Sequence, residues 1–206
     1  MKTKMTRLAF IWLVFATCLL CFGFPQKPGQ DQLPTGSLYT AEELSKNFSS
    51  HQFTPFGDPK FSLEILVPSN WESHLSDYDP GQISHDTEGA VPMVEFYPPG
   101  ADDLGVNVQY MRVPGEKAVS AFLDEFAKSA NGTIAARQQL DFEGHKVEDV
   151  LMKTNDDSLG PVLNRVMAFR RGDIVFISTA WSVEEKYEKY KKVFATVLAS
   201  FNPTGK

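Results

Sequence analysis

The chain has 206 residues, of which 42% are hydrophobic and 12% aromatic, a composition typical of a globular protein rather than a disordered one. Its formal net charge is −6 at pH 7. An acidic surface repels phosphate groups, so this charge argues against nucleic-acid partners and against anionic lipid. Both cysteines, Cys18 and Cys21, lie near the amino terminus, so the rest of the chain has neither a disulfide nor a cysteine metal site.

The first 24 residues have the pattern of a secretory signal. Three basic residues precede an apolar run from Leu8 to Phe24, and a stretch rich in Pro and Gly follows it. The run is slightly shorter than the roughly 20 apolar residues that a membrane span needs. We therefore expect residues 1–23 to be a signal peptide cleaved after Gly23, and the protein to be periplasmic or secreted.

Two alternatives would keep the chain at a membrane. The apolar run could remain as an uncleaved anchor, or a lipid could be attached to Cys18 or Cys21. Neither cysteine lies in the Leu-small-small-Cys pattern that is usual for lipoproteins. Membrane contact is expected only through such an anchor, and cleavage is the favoured outcome.

Residues 24–55 predict a flexible linker that contains a possible short helix. The segment 25–37 is rich in Pro, Gly and Gln and has almost nothing to bury. Thr40 and Glu43 have the spacing of a capping box, which predicts a short helix that ends near Phe48.

The globular domain is predicted for residues 56–202. Alternating hydrophobicity predicts strands at 61–67, 91–97 and 105–113. The apolar spacing then changes to that of a helix over 116–130. Trp71 follows the first strand, where it could be a buried anchor behind that strand.

Four further strands and a last helix complete the domain. The strands are predicted at 133–142, 145–154, 161–170 and 173–181. Because their links are short, neighbouring strands should be antiparallel. A capping box from Ser182 to Glu185 predicts the start of the last helix, which ends near Phe201. The order β-β-β-α-β-β-β-β-α predicts one α+β domain, an antiparallel β-sheet flanked by helices.

Two segments of the domain resemble the PsbP-like superfamily. Residues 61–71 read Phe-Ser-Leu-Glu-Ile-Leu-Val-Pro-Ser-Asn-Trp and are similar to the opening strand of that group. Residues 169–180 are similar to its closing hairpin, and the helix after them ends in Ala-Ser-Phe. The group includes the extrinsic photosystem II protein and bacterial periplasmic proteins such as DcrB. The resemblance covers about residues 56–202 and implies an α/β/α sandwich with a binding or assembly role and no catalysis.

The loop after the first strand contains the strongest candidate for a metal site. Asp77, Asp79 and Glu88 match positions 1, 3 and 12 of a calcium loop, where carboxylates can surround a hard cation. The match fails at position 6, which lacks the turn glycine, and no helices bracket the loop. His85-Asp86 and His74 could add ligands but do not complete a zinc pattern. We therefore predict no metal site and no cofactor.

Other polar motifs lie where turns are expected. Asp102-Asp103, Asp156-Asp157 and Arg171-Gly172-Asp173 each fall in a link between predicted elements, and Asp and Gly are typical turn residues. The last of these is a cell-adhesion tripeptide in other contexts, but a tight hairpin explains it better here. The sequons at Asn47 and Asn131 matter only in a host that glycosylates them.

The sequence contains no catalytic signature. It has neither a Gly-x-Ser-x-Gly motif nor a phosphate-binding glycine loop, and its four histidines are scattered. Trp71, Trp181 and the pair Tyr187 and Tyr190 could line a pocket, but the edge of a core is the favoured interpretation. We therefore predict no catalytic residues, and the protein is not expected to be an enzyme.

The function predicted from the sequence is that of an exported, non-catalytic binding or assembly module of PsbP-like fold. It is expected to be a monomer that acts on an envelope protein partner. The alternative is a periplasmic protein that binds a small ligand or a metal through the acidic region 72–103.

Overall fold

The computed structural model describes residues 33–34, 38–53, 62–75, 91–113, 117–142 and 144–201. The helices are α1 (Ala41–Asn47), α2 (Val119–Ser129) and α3 (Glu184–Ser200). The strands are β1 (Phe48–Phe53), β2 (Leu63–Pro68), β3 (Glu72–Leu75), β4 (Val91–Tyr97), β5 (Leu104–Arg112), β6 (Thr133–Phe142), β7 (His145–Asp156), β8 (Gly160–Arg171) and β9 (Ile174–Val183). The predicted signal peptide, residues 1–23, lies outside the described residues.

Seven of the strands form one antiparallel sheet in the order β3-β4-β5-β9-β8-β7-β6. Strands that follow one another in the chain pair as hairpins from β3 to β5 and from β6 to β9. The two halves join where β5 pairs with β9, from Leu104 opposite Ser182 to Arg112 opposite Ile174. The link between β8 and β9 is so short that Gly172 adopts φ +60°, a conformation that costs glycine little.

A second sheet of two strands, β1 and β2, lies with α3 on one face of the large sheet. Phe48 pairs with Pro68 and Phe53 with Leu63 across β1 and β2. The side chains of Leu63, Ile65 and Val67 alternate inward from β2 and are at most 1% exposed. They pack with α3 and with the inner residues of β5, β8 and β9 in one hydrophobic cluster.

The opposite face of the large sheet carries α2 and a smaller hydrophobic cluster. Phe122, Leu123 and Ala127 are the buried residues of α2. They pack against Val150 and Val166, among others, from β7 and β8. The large sheet is therefore the middle layer of an α+β sandwich.

The predicted fold class, an antiparallel sheet flanked by helices, is confirmed. All seven predicted strands and both long helices have counterparts that overlap the predicted spans. The short helix predicted from Thr40 is present as α1, and both hydrogen bonds of its capping box form. Trp71 is partly buried and packs against the large cluster, so it lies at the edge of the core rather than inside it.

Two strands were not predicted, and the observed order is α-β-β-β-β-β-α-β-β-β-β-α. β1 falls within the segment 24–55 that the composition indicated as a linker, and Phe48 in it is 9% exposed. β3 falls at the start of the predicted polar loop. Both strands are short and polar, so the alternation of apolar and polar residues in them is too weak to predict a strand from the sequence alone. The folded part of the chain thus begins well before residue 56.

The capping box predicted at Ser182 is wrong. β9 continues to Val183, because Ser182 pairs with Leu104 on one side and Leu163 on the other. Its side chain is therefore buried in the sheet and does not cap the helix. α3 begins at Glu184 without a hydrogen bond from a capping side chain.

No helix within the described ranges is long and apolar enough to cross a membrane.

Candidate functional site

The face of the large sheet that carries α2 also presents a row of polar and aromatic side chains. α2 packs on β6, β7 and β8. The pairing of Glu95 with Asn107, and of Asn107 with Thr179, runs across β4, β5 and β9 on this same face. We call the partly exposed residues of this region the aromatic–amide face, and its members are Glu95, Tyr97, Asn107, Gln109, Asn164 and Trp181.

Tyr97 and Trp181 form the aromatic part of this face. Their ring centroids lie 6.5 Å apart in an edge-to-face arrangement. The Tyr97 ring covers Gly105, where a Cβ atom would lie 2.8 Å from Tyr97 Cδ1. The Tyr97 hydroxyl donates a hydrogen bond to Glu95 Oε2 at 2.5 Å. Burial, and then this hydrogen bond, raise the pKa of Tyr97, so the phenol stays neutral and keeps its proton to donate to Glu95.

A cleft of about 300 Å³ lies beside these residues, between the end of α2 and the sheet. Amides and hydroxyls dominate its lining, together with one aromatic ring, one thioether and one carboxylate. The lining residues are Asn107, Gln109, Phe126, Ala130, Met152, Thr154, Asn155, Asp156, Asn164 and Thr179. None of them is a lysine, an arginine or a histidine, so the cleft suits an uncharged polar ligand better than an anion.

Two groups of the cleft differ in how their hydrogen-bonding capacity is used. Asn164 Nδ2 donates to Thr154 Oγ1 at 2.9 Å. Asn107 Oδ1, by contrast, is buried and has no partner among the described residues. A buried acceptor without a donor costs free energy, and a bound donor would remove that cost.

The single carboxylate of the cleft is already used by its own turn. Asp156 Oδ1 accepts hydrogen bonds from the N–H groups of Ser158 at 2.8 Å and Leu159 at 2.9 Å. These bonds lower the pKa of Asp156. The turn interpretation of Asp156-Asp157 therefore agrees with the structure.

The other face of the large sheet contains a buried ion pair. Arg165 Nε lies 3.0 Å from Asp149 Oδ1, and Arg165 Nη2 lies 2.7 Å from Asp149 Oδ2. The two side chains are 1% and 0% exposed. Gln138 Nε2 also donates to Asp149 Oδ2, at 2.7 Å. The hydroxyl of Tyr187 and Arg165 Nη1 are buried without a partner among the described residues.

Most of the candidate metal ligands weighed in the sequence fall outside the described residues. These are Asp77, Asp79, His85, Asp86 and Glu88. His74 is described, exposed on β3 and paired in register with Glu95 of β4. Within the described ranges, no group of three His, Cys, Asp or Glu residues is placed to hold a metal ion.

The remaining motifs lie at turns and element ends. Asp103 forms an ion pair with Lys186, and Asp173 forms one with Arg112 at 3.0 Å. Arg171-Gly172-Asp173 is the hairpin between β8 and β9, as its Gly predicted. Both sequon residues, Asn47 at the end of α1 and Asn131 after α2, are exposed.

The four aromatic residues suggested as a pocket lining do not come together. Trp181 lies on the α2 side of the sheet, whereas Tyr187 is buried on the α3 side, 5% exposed. Trp71 and Tyr190 pack against the α3-side cluster. Trp181 instead pairs with Tyr97, which the sequence did not single out.

Sequence reasoning also missed the cleft and the buried ion pair. The ion pair had a signal, because Asp149 and Arg165 occupy inward positions of strands whose neighbouring inward residues are apolar. The cleft had none, since its residues come from four strands, β5, β7, β8 and β9, and from the end of α2.

The chain is similar to solved structures of low sequence identity. The solution structure of cyanobacterial PsbP (CyanoP) from Synechocystis sp. PCC 6803 is 14% identical, covers 82% of this chain and 96% of that chain, and has a TM-score of 0.53. LpqN, involved in cell envelope biogenesis of Mycobacterium tuberculosis, is 12% identical, with coverages of 80% and 95% and a TM-score of 0.46. A protein of unknown function from Pseudomonas aeruginosa, PA94, is 11% identical, with coverages of 76% and 97% and a TM-score of 0.43.

The similarity to CyanoP shows that this chain has the PsbP-like fold. The resemblance of residues 61–71 and 169–180 to that superfamily had indicated the same fold. No protein-family model matches the chain, and no curated protein matches it significantly.

Proposed function

We propose that the protein is an exported, non-catalytic binding module that holds an envelope protein partner on its aromatic–amide face. The observation that carries the proposal is the pair of partly exposed rings, Tyr97 and Trp181, packed edge to face on a sheet. Tyr and Trp are enriched at protein interfaces and dominate their binding energy, because each supplies a large, rigid contact area.

The surroundings of the two rings support a protein partner. Asn107, Gln109 and Asn164 offer both donors and acceptors, which suit the main chain and polar side chains of a protein surface. Glu95 and the negative net charge of −6 favour a partner whose complementary surface is basic. An exported location rests on the basic and apolar pattern of residues 1–23.

Site-specific photo-crosslinking in cells that export the protein tests this proposal. A benzophenone amino acid placed at Gln109 should crosslink one envelope protein, and the same label at the exposed Lys191 on α3 should not. Trp181→Ala combined with Tyr97→Ala should abolish the crosslink, because hot-spot residues each contribute roughly 2 kcal/mol or more. Equal crosslinking from both label positions, or crosslinking only from Lys191, would contradict the proposal.

The cleft favours a second candidate, the binding of a small ligand. Asn107 Oδ1 needs a donor, and the cleft walls carry no positive side chain, so the ligand would be uncharged and would carry hydroxyl or amide groups. Thermal-shift screening of such compounds against wild type and Asn107→Leu tests it. Stabilisation of wild type alone would support the ligand. A calcium-dependent rise in Tm would instead support the metal form of this alternative, through the region 72–103.

A further inference from the structure

The amino-terminal segment of the chain lies against the buried ion pair. The carbonyl oxygen of Leu33 accepts a hydrogen bond from Gln138 Nε2 at 3.2 Å. The carbonyl oxygen of Pro34 accepts one from Arg165 Nη2 at 2.5 Å. The Leu33 side chain is 6% exposed, although composition predicted that this part of the chain buries almost nothing.

These contacts indicate a role for the buried ion pair of Asp149 and Arg165. Burying an ion pair costs desolvation free energy that the attraction between the charges often fails to repay, and a hydrophobic pair would be as stable. Gln138 and Arg165, however, donate to Asp149 and to the two consecutive carbonyls at the same time. Asp149 thus holds two donors in fixed positions, and those donors are what an extended peptide main chain can bind.

The same segment has a second attachment point on α3. The N–H group of Leu38 donates to Thr196 Oγ1 at 3.3 Å. The Tyr39 ring lies 3.9 Å from Lys192 Nζ and packs against the ring of Phe48, with centroids 5.1 Å apart. The chain is therefore held at both ends of the stretch 33–39.

We propose that Gln138 and Arg165 form a peptide-binding site for an extended apolar–proline segment, and that the chain's own Leu33-Pro34 occupies it. Three features define the ligand. Both contacts are donated by the site, so the peptide presents carbonyls, and Pro34 brings no N–H group that would need an acceptor. The apolar side chain before proline is buried. A residue before proline is also biased to the extended conformation, which reduces the entropy lost on binding.

A labelled synthetic peptide of residues 27–40 tests the site in the full-length protein. In wild type the chain's own segment competes, so binding of the added peptide should be weak. Leu33→Asp places a charge in the buried position and should release the internal segment without touching the sheet. Fluorescence anisotropy should then show saturable peptide binding to Leu33→Asp, with an affinity at least about tenfold above that for wild type.

Two controls keep the test specific. Leu38→Asp changes a side chain that is 44% exposed and should leave the site occupied, as in wild type. In the Leu33→Asp background, Gln138→Leu should weaken the peptide by about 2- to 12-fold, the range expected for one neutral hydrogen bond. A labelled peptide carrying Leu33→Asp should not bind. Equal binding to wild type and Leu33→Asp, or binding to neither while circular dichroism shows both folded, would overturn the proposal.

Discussion

At the scale of single residues, the ion pair of Asp149 and Arg165 differs from the other salt bridges described. The side chains of Lys146 on β7 and Asp141 on β6 are 64% and 49% exposed, whereas both partners of the buried pair are at most 1% exposed. Water screens an exposed pair, so its net contribution is small. A buried charge that loses its partner is not solvated by water, so its desolvation cost remains in full.

Asp149→Ala should therefore lower the free energy of unfolding by about 3–5 kcal/mol, since it leaves the Arg165 guanidinium buried and uncompensated. Urea unfolding at pH 7 measures the loss. Asp141→Ala is the matched control and should cost much less than Asp149→Ala, because water screens this exposed pair. Replacing both partners, as Asp149→Leu with Arg165→Met, should recover most of the loss. A double variant as unstable as Asp149→Ala would show that the peptide contacts of Arg165, rather than charge burial, dominate.

Tyr187 makes the stability of the protein sensitive to alkaline pH. Burial raises the pKa of its phenol from the usual 10.0 to about 12, and the nearby Arg165 guanidinium opposes part of that rise. The folded state therefore keeps the proton that the unfolded state loses near pH 10. The stability that the protonated Tyr187 contributes is fully present below pH 10 and is lost as the pH rises through about 12.

Tyr187→Phe should reduce this alkaline loss. Its buried hydroxyl has no partner in the described part of the chain, so the variant should be as stable as wild type, or slightly more so, at pH 8. Between pH 9.5 and 11.5 wild type should lose more stability than Tyr187→Phe, which urea unfolding across this range measures. Tyr39→Phe is the control for general tyrosine ionisation, because the pKa of Tyr39 is also raised but its side chain is only partly buried. Parallel pH curves for wild type and Tyr187→Phe would refute the assignment.

At the scale of elements, the sequence predicted those whose pattern is complete within their own residues. α2 and α3 carry apolar residues at helical spacing, and β2 alternates strictly between inward and outward residues. β1 reads Phe-Ser-Ser-His-Gln-Phe and becomes a strand only because β2 supplies its hydrogen-bonding partner. Ser182 satisfied a helix-capping pattern but lies between two strands, and tertiary pairing overrode the local signal.

Phe48 provides a test of whether this segment belongs to the fold. It is 9% exposed, packs against the Tyr39 ring and is part of the large hydrophobic cluster. Phe48→Ala should lower the free energy of unfolding by about 3–5 kcal/mol. Leu38→Ala, at a position 44% exposed, should change it by about 0.5 kcal/mol or less. If Phe48→Ala were as mild as Leu38→Ala, the linker predicted for 24–55 would be the better description.

At the scale of the whole molecule, the sequence predicted the α+β class and the PsbP-like fold but not which residues meet on each face. Tyr97 and Trp181 are 84 positions apart in the chain, and the pairing of β4 with β5 and of β5 with β9 brings them together. The same limit applies to Pro34 and Arg165, which are 131 positions apart in the chain and are joined by a hydrogen bond. Contacts of this kind depend on register and layer order, which periodicity alone does not contain.

Both the stability of the fold and the arrangement of the aromatic–amide face require a glycine at position 105. A Cβ atom at Gly105 would lie 2.8 Å from Tyr97 Cδ1 and 2.9 Å from the carbonyl oxygen of Phe96. Gly105→Ala should therefore displace the Tyr97 ring from Trp181, at a cost of about 1–3 kcal/mol in stability. Near-ultraviolet circular dichroism should report the altered ring packing.

Gly105→Ala should also abolish the crosslink from position 109, because the displaced ring leaves the proposed interface. Gly100→Ala is the matched control: its φ of +69° makes alanine strained by about 1 kcal/mol, but nothing lies within 4 Å of the added methyl group. Gly100→Ala should thus lose stability and keep the crosslink, which separates a damaged face from a weakened fold. If Gly105→Ala retained full crosslinking despite a changed aromatic signal, the partner would contact the amides rather than the rings. Tyr97 would then have no part in binding.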